Sequence, residues 1–322
     1  GHGDFATNIV MVLAKEAKMS PRKIAEIIVQ NIDISDTSIQ KIEIAGPGFI
    51  NFYLIPTWAN EAIISVFEQG EAYGNQNHGA GKKVQVEFVS ANPTGPMHMG
   101  NARGAALGDA LSAVLKRAGY DVTKEFYVND AGNQIENFGK SLEARYLELL
   151  GHESEIPEGG YHGEDIKEHM EELIEREGDR FLSMDSASRR AYFIEYALEK
   201  NLSRMKQDLA NFGVEYDIWY SEQSLHDRGK VKEVIKTLKD KGYAYEKDGA
   251  TWFKASEFGA EKDEVLIRAN GLPTYFASDI AYHKDKFDRG FEWVINIWGA
   301  DHHGHIARMK GALEALGYDP EK

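Results

Sequence analysis

The chain has 322 residues, 42% of them hydrophobic and 28% charged, with no cysteine and a formal net charge of −15. These values describe an ordinary globular protein with room for two domains, or for one domain with a large insertion. Disulfides and thiolate metal sites are excluded. No apolar run approaches the ~20 residues of a membrane helix, so no membrane partner is expected. No secretory signal is read, and a cytoplasmic location is expected. The acidic balance argues against non-specific nucleic-acid binding over the whole surface, and no DNA partner is expected. The charge is uneven: between Gly151 and Arg180 eleven acids stand against three bases. That stretch reads as a solvated helix surface and leaves room for a local basic face elsewhere.

Residues 1–75 read as a small α+β domain. Helical apolar spacing runs over 6–18, and Ser20-Pro21 opens a second helix over 22–32, with Ser as cap and Pro at the first helical position. Ile39, Ile42 and Ile44 lead into a Gly46-Pro47-Gly48 turn, a strand over 49–54 and a helix over 58–67; residues 70–81 read as a linker. Residues 82–145 form the first half of an α/β, Rossmann-like domain. Its strand at 84–89 is largely apolar on both parities, as suits a parallel sheet covered on both faces. A helix follows over 102–118 with Gly119 as its stop, then a strand at 126–128. Gly100, Gly104 and Gly108 recur every four residues; they serve either approach to a ligand or tight helix–sheet packing. Residues 146–256 read as a mainly helical insertion, ending in a hairpin around Asp248-Gly249. Residues 257–322 supply the second half of the parallel-sheet domain, with strands at 265–267 and 293–298, the latter ending at Gly299.

Four groups carry chemistry. His98-Met99-Gly100-Asn101 follows a strand and a Pro/Gly turn and opens a helix. Unpaired N–H groups and the helix dipole favour an anion there, and an imidazole and a carboxamide can stabilise phosphoryl oxygens. Glu87, Ser90 and Asn92 lie on the strand and turn feeding His98, and a buried Glu87 would demand a partner. Trp298-Gly299-Ala300-Asp301-His302-His303-Gly304-His305 sits after an apolar strand, where open α/β sheets bind ligands. Asp301 there can accept from ribose hydroxyls. The histidines can also be read as a metal site or a structural cluster, but no cysteine or glutamate completes a ligand set. If residues 274–282 are helical, Tyr275 and Asp279 stand one turn apart, and a carboxylate beside a phenol suits a planar cation, best a guanidinium. Tyr127 to Gln134 is a polar cluster after a strand, as well read as a turn as a site. No G-x-G-x-x-G follows either apolar strand, so dinucleotide redox chemistry is not expected.

Together these residues resemble the arginyl-tRNA synthetases. The run from Glu87 to Pro96, followed by His98-Met99-Gly100-Asn101, is similar to that family's form of the class I HIGH motif, with Asn101 in place of the last histidine. Tyr127 to Gln134, Tyr275 to Asp279 and Gly299 to His305 resemble its later segments, the last also fitting G-x-D-x-x-x-H. His2-Gly3-Asp4-Phe5-Ala6-Thr7-Asn8 resembles the start of its N-terminal tRNA-binding domain. The resemblance implies that His98, Gly100 and Asn101 bind ATP phosphates, with His98 and Asn101 stabilising the pentavalent phosphorus. It implies that Asn92 and His302, with Ser90 nearby, meet the α-amino or α-carboxylate end of arginine. Tyr275 and Asp279 would hold the guanidinium, with Glu87 beside them, and Gly299 and Asp301 would meet the adenosine ribose. It further implies ATP with Mg²⁺ as substrate, no tightly bound metal, arginine and tRNA as partners, and activation that depends on tRNA.

Two departures shape the expectation. No KMSKS-type loop occurs, Lys18-Met19-Ser20 being a decoy in the small domain, and the helical anticodon-binding domain is absent. A fragment is expected, inactive or nearly so in tRNA charging by itself. The alternatives are a nucleotidyltransferase of the same superfamily acting on a small acid, which leaves Tyr275 and Asp279 unexplained, and a non-catalytic RNA-binding module.

Overall fold

A computed structural model describes residues 3–299 and 303–322, with only the backbone of His303. The chain divides into two compact units, Gly1–Asn75 and Gln76–Lys322.

In the first unit, β1 (Phe5–Thr7) pairs antiparallel with β3 (Phe49–Leu54), which pairs with β2 (Ile39–Ala45). Helices α1 (Ile9–Ala17) and α2 (Pro21–Asn31) close a small core of Val10, Ile24, Ala25 and Ile50, and α3 (Trp58–Gln69) follows. The helix read over 6–18 starts later because Phe5–Thr7 are taken by the sheet, and Thr7 Oγ1 accepts the Ile9 N–H at 3.2 Å. Lys18 ends α1 in the left-handed conformation (φ 49°) and Ser20-Pro21 starts α2. Lys18-Met19-Ser20 is thus an inter-helix corner.

The second unit is built on β4 (Lys83–Glu87), α4 (Met99–Arg117) and β5 (Asp121–Val128), then α5 (Asn133–Leu149), α6 (Glu164–Glu177), α7 (Ser186–Asn211) and β6 (Ile218–Ser221). After these come α8 (Glu222–Asp227), α9 (Lys230–Asp240), β7 (Ala244–Lys247), β8 (Ala250–Phe253), β9 (Glu264–Ile267), α10 (Tyr275–Asp288), β10 (Trp293–Asn296) and α11 (His303–Leu316). Among the described residues the main sheet has the order β10-β4-β5-β6, every pair parallel, and β7-β8-β9 form an antiparallel sheet. The chain lays β4, β5 and β6 to one side, then returns to place β10 on the other side of β4. The carboxyl ends of β4 and β10 therefore flank a topological switch point, where open α/β sheets bind ligands.

The range 146–256 differs from the expectation of a helical insertion. Helices α5, α6 and α7 do share their own core of Phe138, Leu142, Tyr146, Met170, Phe181 and Phe193. But β6 falls inside the range and pairs with β5, so the same stretch completes the main sheet. The strand at β4 also differs in its faces. Val84 and Val86 pack with Ala105, Leu115, Met205 and Leu209, while the opposite parity, Gln85 and Glu87, is buried and polar. No helix among the described residues is long and apolar enough to cross a membrane.

Of the spaced glycines, Gly108 serves packing: a Cβ there would stand 2.1 Å from the Phe88 ring, whereas at Gly104 it would meet nothing nearer than the Val89 nitrogen at 3.9 Å. Gly108→Ala is expected to destabilise by about 1–3 kcal/mol through overpacking. Gly104→Ala should be neutral or stabilising by up to ~1 kcal/mol, because alanine favours the helix. Denaturant melts of the two variants separate the readings.

Candidate active site

Beyond Glu87 the β4 backbone leaves the extended conformation. Val89 (φ 68°) and Ser90 (φ 43°) both occupy the left-handed region without being glycine, which costs on the order of 1–3 kcal/mol each. Several bonds hold this turn. Ser90 Oγ donates to Glu87 Oε1 (2.9 Å) and accepts from the Tyr127 N–H at the end of β5 (3.1 Å). Tyr216 Oη donates to the Phe88 carbonyl (3.0 Å). Glu87 Oε2 accepts from Lys286 Nζ of α10 at 2.6 Å. Glu87 thus has the partner its burial demands. Its carboxylate lines the site already matched, and offers a cationic ligand less than an unpaired carboxylate would.

The turn walls a cavity of about 270 Å³ at the carboxyl edge of the sheet. Glu87, Ser90 and Asn92 come to it from β4, Tyr127 and Asn129 from β5, Asp279 from α10, and Trp298 and Gly299 from the end of β10. His305 of α11 closes it, with Nε2 3.3 Å from Asp279 Oδ2. The buried Asn129 Oδ1 has no hydrogen-bond partner among the described groups, an orphaned acceptor of the kind a ligand's N–H satisfies.

A second hollow of about 250 Å³ opens beside it, lined by Tyr275, Ser278, Glu222, His226, Gly132 and Arg268 among others. Thr274 caps α10, accepting the Ala277 N–H at 3.3 Å. Tyr275 and Asp279 therefore share a helix, as their spacing requires, but line adjoining cavities with Ser278 between. The Tyr275 ring lies against Gly132, where a Cβ would come within 3.5 Å of it. Asp130 organises the facing wall, accepting from Ser221 Oγ (2.6 Å) and the Gln223 N–H (2.8 Å). That sets Glu222 at the first position of α8, where it is 3% exposed.

Burial, with the Asp279 carboxylate nearby, pushes the Glu222 carboxyl up to about 7, against the opposing pull of the Ser278 and Tyr127 hydroxyls. Burial, then the carboxylates of Glu222, Asp279 and Glu87, push the Tyr127 phenol far above its usual range, so it remains an O–H. Among the described residues neither Glu222 nor Asp279 has a lysine or arginine within ion-pair distance; each meets only a histidine, His226 at 3.7 Å and His305 at 3.3 Å.

His98 and Asn101 form a reciprocal cap on α4. The Gly100 N–H donates to His98 Nδ1 (3.1 Å) and the His98 N–H donates to Asn101 Oδ1 (2.9 Å). An accepting Nδ1 leaves the neutral ring's proton on Nε2, free to donate outward. Gly100 permits this fold-back, since a Cβ there would come 2.9 Å from the imidazole. The structure does not bring these two side chains into the cavity with Asp279. They line a separate groove with Met97, Met99, Asp208 and Phe212, on the same carboxyl edge of the sheet. Asp301 and His302 lie outside the described residues. A larger cavity, about 680 Å³, shares His283, Trp298 and Gly299 with the first, and is lined by Phe287, Met309 and Leu313 together with Asn296, Lys310 and Asp319.

Sequence reasoning did not single out Glu222, His283, Lys286 or Asn296, and it placed His305 in the Trp298–His305 group without giving it a role of its own. Glu87 called for a base, but Lys286 did not stand out as that base: it is one of two lysines in 275–288 and lies between Asp285 and Phe287. Glu222 carried no local signal, since Ser-Glu-Gln-Ser reads as an exposed helix start.

Residues 62–322 match the family model for tRNA synthetases class I (R), catalytic domain, and residues 1–54 match that for the arginyl tRNA synthetase N terminal domain. An arginine–tRNA ligase of Caldanaerobacter subterraneus is 63% identical over 322 residues, covering 100% of this chain and 57% of that protein. One of Heliobacterium modesticaldum is 60% identical over 321 residues, again covering 100% and 57%. A crystal structure assigned as an arginyl-tRNA synthetase from Campylobacter jejuni is similar with TM-score 0.75 and 40% identity, over 83% of this chain and 58% of that one. Thermus thermophilus arginyl-tRNA synthetase, at TM-score 0.59 and 22% identity over 99% and 58%, supports the fold alone. The chain spans 57% of the length of these curated relatives. The chain belongs to the class I (R), or arginyl, tRNA synthetases.

Proposed function

We propose that this chain carries the arginine- and ATP-binding part of an arginine–tRNA ligase, working in the cytoplasm on tRNA rather than DNA. The observation that carries this reading is the Glu222–Asp279 pair: two carboxylates at adjoining hollows, with no permanent cation against either among the described residues. A guanidinium supplies the missing charge, fits carboxylates in plane, and stacks on a phenol such as Tyr275. Asn92 and Ser90, with His302, receive the α-amino and α-carboxylate end. Gly299 and Asp301 face the adenosine ribose.

The arginine carboxylate oxygen then attacks the α-phosphorus of ATP. The new O–P bond forms as the bond to the β-phosphate oxygen breaks, and pyrophosphate departs with its Mg²⁺, which enters as part of the substrate. His98 Nε2–H, the Asn101 amide and the N-terminus of α4 donate to the oxygens that gain charge. The reciprocal cap supports this role, because it holds both groups before the triphosphate arrives. Transfer of arginine to the tRNA ribose completes the reaction of the full-length enzyme.

The titration of Glu222 supplies the test. Its carboxyl sits up near 7 in the free protein, and a guanidinium beside it favours the ionised form. Binding therefore releases a proton below that value. Affinity for arginine is expected to rise about tenfold from pH 6 to pH 8, then level off. Calorimetry at pH 7 in buffers of different ionisation enthalpy should show the release. An affinity flat across this window contradicts the assignment.

A further inference from the structure

Lys286 is fully buried, 0% exposed, on α10. A buried ion pair is weak evidence for stability, since well-packed apolar groups of similar volume are often as good or better. Its connections suggest another use. Nζ donates to Glu87 Oε2 and to Asn296 Oδ1, both at 2.6 Å, and lies 4.2 Å from the centroid of the Tyr282 ring.

An ammonium only donates, so it fixes the orientation of the Asn296 amide with Oδ1 towards it. Asn296 Nδ2 must then donate to His283 Nε2, 2.8 Å away. The imidazole proton is thereby placed on Nδ1, which donates to the Asp279 carbonyl at 2.7 Å. Burial, with Lys286 adjacent, holds the His283 pKa well below its ordinary value, so the ring stays neutral in this tautomer. The other arm runs through Glu87 to Ser90 Oγ and the strained Val89–Ser90 turn.

We propose that Lys286 is a positioning residue: by matching Glu87 and orienting Asn296, it fixes both walls of the cavity that receives the amino acid, the Ser90–Asn92 turn on one side and Asp279 with the Trp298–Gly299 segment on the other. The proposal rests on the arginine-binding reading for what the cavity holds, but not for the wiring itself.

The test uses the 322-residue chain with ¹⁵N-labelled histidine, as wild type, Lys286→Met, Lys286→Arg and the double variant Glu87→Gln/Lys286→Met. Long-range proton–nitrogen spectra read the His283 tautomer, and calorimetry reads arginine affinity. The wild type should show Nδ1–H alone. Lys286→Met should show mixed tautomers and bind arginine about tenfold or more weakly, while Lys286→Arg keeps the wild-type tautomer. The double variant, free of an unmatched buried charge, should fold as well as wild type yet retain both defects, because Asn296 still lacks its donor. It also carries the test if Lys286→Met fails to fold. Folded variants with a wild-type tautomer and affinity overturn the proposal. A wild type that binds no arginine sinks the arginine reading instead, and the tautomer still decides the wiring.

Discussion

Replacing Asp279 by asparagine is expected to weaken arginine binding by about 30-fold or more. Truncating one partner of a desolvated charge pair costs at least about 2 kcal/mol, and each 1.4 kcal/mol is tenfold. Asparagine keeps the shape and one acceptor, so the loss reports charge rather than volume. Citrulline, which has the same length but no charge, should lose little. Parallel titrations of both ligands against wild type and Asp279→Asn give the difference directly, and an equal loss for both would assign Asp279 to packing. The contact to His305 at 3.3 Å loses its carboxylate in the variant for either ligand, so citrulline serves as its control.

A second large effect is expected beneath the site. Glu125 of β5 is fully buried and accepts a forked pair from Arg289 (2.6 and 2.9 Å) and a hydroxyl from Tyr282 (2.6 Å). It stands beside Glu87 in the parallel register; Lys286 lies in the last turn of α10, and Arg289, three residues on, caps the C-terminus of that helix. The helix is therefore laid on the sheet through two buried ion pairs. Glu125→Ala leaves the Arg289 guanidinium without its main partner. Such losses cost about 3–5 kcal/mol, on the order of 10 °C in melting temperature for a unit of this size. A thermal melt within 2 °C of wild type, a bound set by that estimate, would mean that α10 is held by its apolar contacts alone.

How much of this was legible in the sequence depended on how local each cause was. The strand, turn and helix around His98 could be read in order because each element is set by its own residues, the Pro/Gly turn included, whereas the reciprocal His98–Asn101 cap was not read. Tyr275 and Asp279 could be paired because helical spacing is a local rule. It did not follow that they share one cavity: Gly132 and Ser278 divide the hollows, and they meet only through packing between β5, α8 and α10. Glu222 was invisible for the same reason, since its burial is created by Tyr127 and Ser278, which lie far from it in the chain. β6 was missed because Ile218–Ser221 is short and follows a long helical stretch, so nothing near it announces a partner in β5. Glu87 was read correctly as needing a counter-charge. Finding Lys286 required the fold, because a lysine between two charged or aromatic neighbours reads as surface.

On the proposed reading, the shared edge of the sheet also explains why the groups assigned to phosphate and those assigned to the amino acid can be separate. His98 and Asn101 belong to the helix that leaves β4, whereas Asp279 lies on the helix that enters β10. Both stand at carboxyl ends of adjacent parallel strands, on either side of the switch point. A substrate joined across that boundary, amino acid on one side and triphosphate on the other, uses both without either side chain moving into the other's hollow.

The central claim is that Glu222 and Asp279 form an electrostatic seat for a guanidinium, and calorimetric titration of the unmodified chain with arginine and with citrulline tests it most directly. A preference for arginine of about 100-fold or more is expected, from two charge-assisted contacts of roughly 1.5 kcal/mol each. Equal affinity for the charged and the neutral amino acid would contradict it.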